Sequence, residues 1–270
     1  MENKDNVTWD PNDTFKGTAF YYSRFRPGYS SEVFEYLRER FRINGTHCIL
    51  DLGCGTGQIA LKMAGWVRKI YAVDPQEDML EEGKVLARKK NITNIEWLVG
   101  QDSDVSSLVN DSVQATIIAR AFHWMNRERV LEDLYSVTNP GGGVAIVGDS
   151  KFRREKAEWE NVRNAVIERH IGKERKAGVS GTYSHPTKLH EEVLAESKFL
   201  DIKIENFNFD RKWTIDQIVG HCYSTSFCSK PLLGNRVEAF EKDLRAELLK
   251  LDNSGIFQDV GEFEVITAIK

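Results

Sequence analysis

The stretch ILDLGCGTGQIA, Ile49 to Ala60, sets three glycines at alternate positions between two apolar segments, with Asp51 just ahead of them. Glycines at that spacing mark a backbone that turns tightly and lets something come close. A bare strand-to-helix turn is the plain reading. The dinucleotide fingerprint spaces its glycines G-x-G-x-x-G, whereas Gly53, Gly55 and Gly57 follow G-x-G-x-G. A Walker loop ends in Gly-Lys-Ser/Thr, and here Gly57 is followed by Gln58. A carboxylate two residues before the first glycine opposes a phosphate and suits an ammonium group. The loop therefore predicts a ligand with a cationic amine and no phosphate.

Around the loop, strand-like and helix-like segments alternate from His47 to Ser150. CILDL before the glycines is a continuous apolar run, as a strand buried on both faces requires. RKIYAVD (68–74), NIEWLVG, VQATIIAR and VAIVGD read as further strands, and NPGGG as the turn before the last of them. Helices are predicted over 76–90 and 127–138; the first opens on Glu77 and Asp78 and closes on Arg88, Lys89 and Lys90, the charge order that the helix dipole favours. Such alternation implies βαβ units and a parallel sheet with helices on both faces.

After Asp149 the rhythm breaks. Helical patterns run over 154–171 and 186–197, and the glycine-bearing stretch 170–186 reads as a mobile loop. DIKIENFNF alternates with period two, Thr214 and Gln217 form a capping-box pattern, and Val237, Phe240, Leu244, Leu248 and Leu251 stripe a long helix. Strands at 201–209 and 261–269 would complete a seven-stranded, Rossmann-like α/β sheet. The expected organisation is a single domain, 1–270, with a ligand-binding core at 42–150. Helical segments 1–41, 151–200 and 211–260 form a cap and the substrate side. The glycine loop then falls at the carboxyl edge of the sheet, where open α/β folds bind ligands.

Composition narrows the class. A net charge of -4, with 41% hydrophobic and 29% charged residues, suits a soluble globular protein and lacks the basic excess of a nucleic-acid surface. The basic runs at 88–90 and 151–156 read as solvated helix faces, because acidic residues sit close by. No apolar h-region opens the chain and no run approaches a membrane span. Cys48, Cys54, Cys222 and Cys228 form no Cys-x-x-Cys pair, so zinc is not expected and reduced, cytoplasmic thiols are. Neither nucleic acid nor membrane is an expected partner, and the expected substrate is a small molecule.

Asp74 ends the second predicted strand about 20 positions beyond the glycines, placed to accept hydrogen bonds from both ribose hydroxyls. Its alternative is a helix N-cap before Pro75. Gln101 and Asp102 end the third strand and can pair with an adenine edge or simply form a turn.

Taken together, LDLGCGTG, the strand-end Asp74, GQDSD and NPGGGVAIVGD resemble a class I methyltransferase that uses S-adenosylmethionine (SAM). The likeness is close over residues 42–149 and loose elsewhere. It implies that Gly53, Gly55 and Gly57, with Cys54 and Thr56, line the methionine portion while Asp51 helps hold its amino group. It places the ribose on Asp74, beside Pro75 and Met79, and the adenine between Gln101 and Asp102. Gln101 stands where many relatives have Asp. AFHWMNRE, RFRPGY and WTIDQIVGHCYSTS resemble the trans-aconitate methyltransferase-like group, which acts on small molecules; here Met125-Asn126 replaces the commoner Phe-Asp.

A sulfonium methyl is already activated, so an enzyme mainly has to align it with its acceptor; proximity supplies roughly 7–11 kcal/mol. A carboxylate acceptor needs no base, whereas a phenol, amine or carbon acid does. His123 is the candidate base, with substrate hydrogen bonding and a structural role as alternatives, and Trp124 reads as a cleft wall. Tyr21, Tyr22, Arg24 and Arg26 are candidates to fold over the ligand, the arginines suiting a carboxylate. Arg24, Arg26 or Arg120 can serve the carboxylate of SAM or that of a substrate, or be surface residues. Tyr183, Tyr223 and Phe227 lie in the expected cap, facing substrate or core. The competing readings are a SAM-binding protein without transferase activity and a methyltransferase for protein or nucleic acid.

Overall fold

The computed structural model describes residues 10–149, 157–183 and 186–270. The basic run at 151–156 lies outside them. Among the described residues nine strands follow in chain order: β1 (Cys48–Leu52), β2 (Lys69–Asp74), β3 (Ile95–Val99), β4 (Val113–Ala119), β5 (Thr138–Asp149), β6 (Lys176–Ala177), β7 (Gly181–Thr182), β8 (Leu200–Thr214) and β9 (Ile256–Ile269). Seven of them form one sheet in the order β3-β2-β1-β4-β5-β9-β8. The pairs β1·β2, β1·β4, β2·β3 and β4·β5 are parallel, and β9 lies antiparallel to β5. This is the expected Rossmann-like sheet, with strand order reversing at β1 and β4, which places the segments after those two strands at the switch point where ligands bind.

Period-two alternation of apolar residues explains why one sheet supports two cores. Ile49, Ile70, Ala72, Ala115, Ile117, Ala145 and Val147 face one core with Val33, Phe34 and Leu37 of the helix Ser31–Arg40. Leu50, Leu52, Tyr71, Val73, Val144 and Ile146 face the other with Val130, Leu131 and Leu134 of the helix Arg127–Val137. All five residues of β1 are buried, as a central parallel strand requires.

The described chain divides into two compact units. One comprises 27–149, 186–209 and 261–270 and holds most of the sheet; the other comprises 10–26, 157–183 and 210–260 and is largely helical. The division differs from the expected one: 27–41 and 186–200, expected in the cap, group with the sheet. The reason is apolar burial, since Leu37 and Phe41 from the first segment and Val193, Leu194 and Phe199 from the second are core residues there. The helical unit has its own core, in which Trp159, Trp213, Tyr223, Phe240, Leu244, Leu248 and Phe257 meet.

Local expectations are corrected in three places. The NPGGG turn lies inside β5, where pairing with β4 jumps from Val113↔Thr138 to Ala115↔Gly143. The helix expected over 186–197 is confined to His190–Ala195. Instead of an unstructured loop, residues 176–182 form the β6·β7 hairpin, whose turn donates to Asp13: Val179 N–H at 2.9 Å, Ser180 N–H at 3.1 Å and Ser180 Oγ at 2.9 Å.

Candidate functional site: a glycine loop braced by two buried carboxylates

Gly53, Gly55 and Gly57 have φ of +71°, +54° and +80°, so three alternate residues sit in the left-handed region that only glycine adopts without strain. The N–H groups of Gly53 and Cys54 both donate to Val73 O, at 2.8 and 3.0 Å, which folds the loop back over the end of β2. A Cβ at Gly53 would stand 2.4 Å from Ala121 Cβ and 3.4 Å from Met125 Cε; one at Gly57 would stand 2.4 Å from Trp97 Cη2. The first glycine thus seats the segment after β4, and the third seats a tryptophan of β3. The sequence marks Met125 only as a departure from the commoner Phe and gives Trp97 no role; the signal for both contacts is that small residues cluster where large ones must approach.

Two carboxylates brace this loop. Asp51, 1% exposed, accepts the Ala60 N–H through Oδ2 at 3.0 Å and so holds the start of the helix Gln58–Met63. Asp74, 8% exposed, accepts Gly55 N–H through Oδ2 at 2.8 Å and Gln76 N–H through Oδ1 at 2.9 Å. Burial, opposed by the Ala60 N–H and reinforced by the charge of Asp74, pushes the Asp51 carboxyl up to about 7. Burial likewise raises Asp74 to about 6, against its two N–H donors and with Asp78 adding to the rise. Burial, then the charges of Asp51 and Asp74, pushes the Cys54 thiol up. A carboxylate offers about four acceptor sites, so Asp51 and Asp74 retain capacity beyond these backbone bonds. Thr56 Oγ1, in the same loop, is fully buried and has no hydrogen-bond partner among the described residues.

The remaining sheet-side candidates gather along the neighbouring strand ends. Met79 is buried in the first turn of the helix Glu77–Lys89, and Pro75 is half-buried before it. Gln101 is exposed; Asp102 accepts the Asn126 N–H at 2.8 Å, tying the segment after β3 to the one after β4. His123 and Trp124 occupy a 3-10 turn, Phe122–Trp124, with ring centroids 4.9 Å apart. Arg120 has φ +57°, its guanidinium carbon 5.6 Å from the Tyr29 ring and 5.4 Å from the Phe263 ring, and its Nη2 3.6 Å from Asp149. Behind the turn, His190 packs on Phe122 and contacts buried Arg127; burial and then the Arg127 charge lower it to about 4, so it is neutral.

Tyr21, Tyr22, Arg24, Arg26, Tyr183 and Tyr223 belong to the helical unit. Arg24 folds back on its own helix, donating to Phe20 O at 3.0 Å and Ser23 Oγ at 2.9 Å. Arg26 donates to Ser224 O at 3.1 Å, capping the helix Ile215–Tyr223. Tyr223, expected on the substrate side, is a core residue that donates its hydroxyl to Glu241 at 3.0 Å and stacks edge-on with Tyr21. Burial and that hydrogen bond raise its phenol far above the ordinary range. Tyr183 lies under the Arg175 guanidinium, which also covers Phe227. Among the described residues no group of three or more His, Cys, Asp or Glu is placed to hold a metal, and no helix is long and apolar enough to cross a membrane.

Comparison with known proteins agrees with this geometry. Residues 49–142 match the family described as Methyltransferase domain. An uncharacterised methyltransferase of Schizosaccharomyces pombe is 28% identical over 240 residues, covering 87% of this chain and 85% of that protein. The solved structure of a putative type II methyltransferase from Anaeromyxobacter dehalogenans shares the fold at TM-score 0.56, with 22% identity, 91% of this chain and 96% of that one covered. So does a Haemonchus contortus phosphoethanolamine N-methyltransferase solved with S-adenosylhomocysteine, at TM-score 0.54, 17% identity and coverage of 95% and 57%. The seven-stranded sheet, the match of residues 49–142 to a methyltransferase domain and these methyltransferase-named relatives together support a SAM-dependent methyltransferase with the class I fold.

Proposed function

We propose that the chain transfers the methyl group of SAM to a small-molecule acceptor, by in-line displacement that depends mainly on alignment. The observation that supports it is the pair of buried carboxylates beside a left-handed glycine loop, in a chain whose net charge of -4 does not favour nucleic acid. Asp51 would take the ammonium of the methionine end, beside the glycine loop that also carries the buried Thr56 hydroxyl, which has no partner among the described residues. Asp74 and its neighbours Pro75 and Met79 would take the ribose, and Gln101 and Asp102 the adenine. Arg120 would serve a carboxylate from its seat on Tyr29 and Phe263.

Bound SAM supplies a methyl activated by its sulfonium, which departs as a neutral thioether. The chain's residues have to orient the acceptor, exclude water and, for an acceptor that carries a proton, remove it. His123, on the turn after β4, is the group proposed for that proton or for a hydrogen bond to the acceptor, with Trp124 as a wall. A carboxylate-bearing metabolite, the acceptor class that the AFHWMNRE and RFRPGY stretches favour, makes the base unnecessary. Amines are the second class, since the Haemonchus neighbour is an N-methyltransferase. A cytoplasmic setting is part of this reading; the four cysteines are free thiols.

Calorimetry with SAM, S-adenosylhomocysteine and NADH tests the ligand: the first two bind, and tight binding of NADH alone would sink the proposal. Transfer of labelled methyl to a panel of small acids, amines and phenols tests the chemistry. Tight SAM binding with no transfer to any of them would replace the enzyme reading with that of a SAM-binding protein.

A further inference from the structure

Asp51 and Asp74 lie near the ends of adjacent strands, since Asp51 is opposite Ala72 and Leu52 opposite Val73 in the β1·β2 ladder. Both are more than nine-tenths buried, and among the described residues neither forms an ion pair. The groups facing Asp51 are the Ala60 N–H from the following helix, Asp74 from β2 and the Cys54 thiol from the loop, while Ile117 of β4 is its apolar neighbour. Asp78, from the helix Glu77–Lys89, adds negative charge near Asp74. Two like charges buried together in a low-dielectric site are resolved by a proton or by a cation. Asp74 receives two backbone N–H bonds and Asp51 one, so the charge is better supported on Asp74 and the proton falls to Asp51.

We propose that Asp51 is a proton-exchange position: protonated in the free enzyme near and below neutral pH, it releases that proton to solvent when the ammonium of the methyl donor takes its place. The exchange balances as one carboxylic acid and one ammonium giving an ion pair and one solvated proton. Burial, together with the charge of Asp74, lifts the Asp51 carboxyl to about 7, which puts the exchange within the physiological range. Donor affinity is thereby coupled to pH. The inference rests on the assignment of Asp51 to the amino group of SAM in the proposed function.

Calorimetric titration of the full chain with SAM tests it, from pH 5.5 to 7.5, in buffers of different ionisation enthalpy. A ligand α-ammonium, with a pKa of about 7.7–8.0, stays largely charged up to about pH 7, so the rising limb below that reports Asp51. Affinity should rise roughly tenfold per pH unit below about 7 and level off above it, with close to one proton released per SAM at pH 6. Asp51→Asn keeps an acceptor for the Ala60 N–H; in that variant SAM should bind with a flatter pH profile and without the released proton. The carbon-13 carboxyl resonance of Asp51 in the ligand-free protein provides a second readout, and should titrate near neutrality. A flat affinity profile in the wild type, or equal proton release in wild type and Asp51→Asn, overturns the exchange. Absence of SAM binding at every pH would instead overturn the cofactor-site assignment on which it stands.

Discussion

Gly83 gives the sharpest test of how the loop is held. It sits inside the helix Glu77–Lys89, where alanine is ordinarily better than glycine by about 1 kcal/mol. Here a Cβ would lie 2.5 Å from Trp97 Cζ3, 2.6 Å from Cη2 and 3.2 Å from Thr56 O. Two of these distances are shorter than any real carbon contact, so the indole must shift, and the backbone oxygen limits escape on the other side. Overpacking of this kind costs roughly 1–3 kcal/mol. After the helix gain is subtracted, Gly83→Ala should destabilise the protein by about 1 kcal/mol. With Trp97 replaced by leucine the ring contacts are gone and only the 3.2 Å approach to Thr56 O remains, so the same substitution should stabilise by up to about 1 kcal/mol. Urea unfolding followed by far-UV circular dichroism of the four proteins in the cycle measures the difference, an expected coupling of about 2 kcal/mol. A Gly83→Ala protein more stable than the wild type, or a coupling near zero, would refute the packing of Trp97 against this helix. Because a Cβ at Gly57 would meet the same ring at 2.4 Å, Trp97→Leu should also loosen the loop and weaken SAM binding.

Asp74→Ala should weaken SAM binding and also destabilise the fold, because it strands the buried N–H groups of Gly55 and Gln76 at roughly 1–3 kcal/mol each. Asp74→Asn, which keeps one acceptor, separates the two effects by losing affinity with a smaller drop in denaturation midpoint; equal midpoints for wild type and Asp74→Ala would remove Asp74 from its bracing role. The Asp51 carboxyl is raised from 3.8 to about 7 in the fold, so its stabilising contribution is complete below about pH 4 and lost as pH rises through 7. Relative to wild type, ligand-free Asp51→Asn should therefore gain stability between pH 4 and 7, by up to about 4 kcal/mol, and a pH-independent difference in unfolding free energy would contradict this. Asp13→Ala removes the acceptor for Val179 and Ser180, so limited proteolysis should cut the β6·β7 hairpin faster than in wild type. An unchanged cleavage rate would show that Asp13 does not hold the hairpin.

Much of this protein is written in local pattern. Period-two runs and the apolar block at β1 are properties of neighbouring residues, and they predict the central sheet because burial on one or two faces depends on alternation alone. The spacing of Gly53, Gly55 and Gly57 is equally local: left-handed backbone needs glycine wherever it occurs, so the turn of this loop was legible without the fold. The β6·β7 hairpin was not, because its turn is held by Asp13, far away in the chain.

The sequence alone therefore determined the fold class and the methyl donor. Only the tertiary structure decided what the candidate residues do for one another. It set Asp51 and Asp74 near adjacent strand ends with no paired cation among the described residues, and it made Trp97 the common neighbour of Gly57 and Gly83. It also moved 27–41 and 186–200 from the expected cap to the sheet, and committed Arg24, Arg26 and Tyr223 to helix ends and core. Tyrosines and arginines suit a substrate cleft and a helix cap equally well by composition. Which role each takes depends on partners distant in the chain, and those are chosen by packing and by the cost of leaving a buried polar group unpaired.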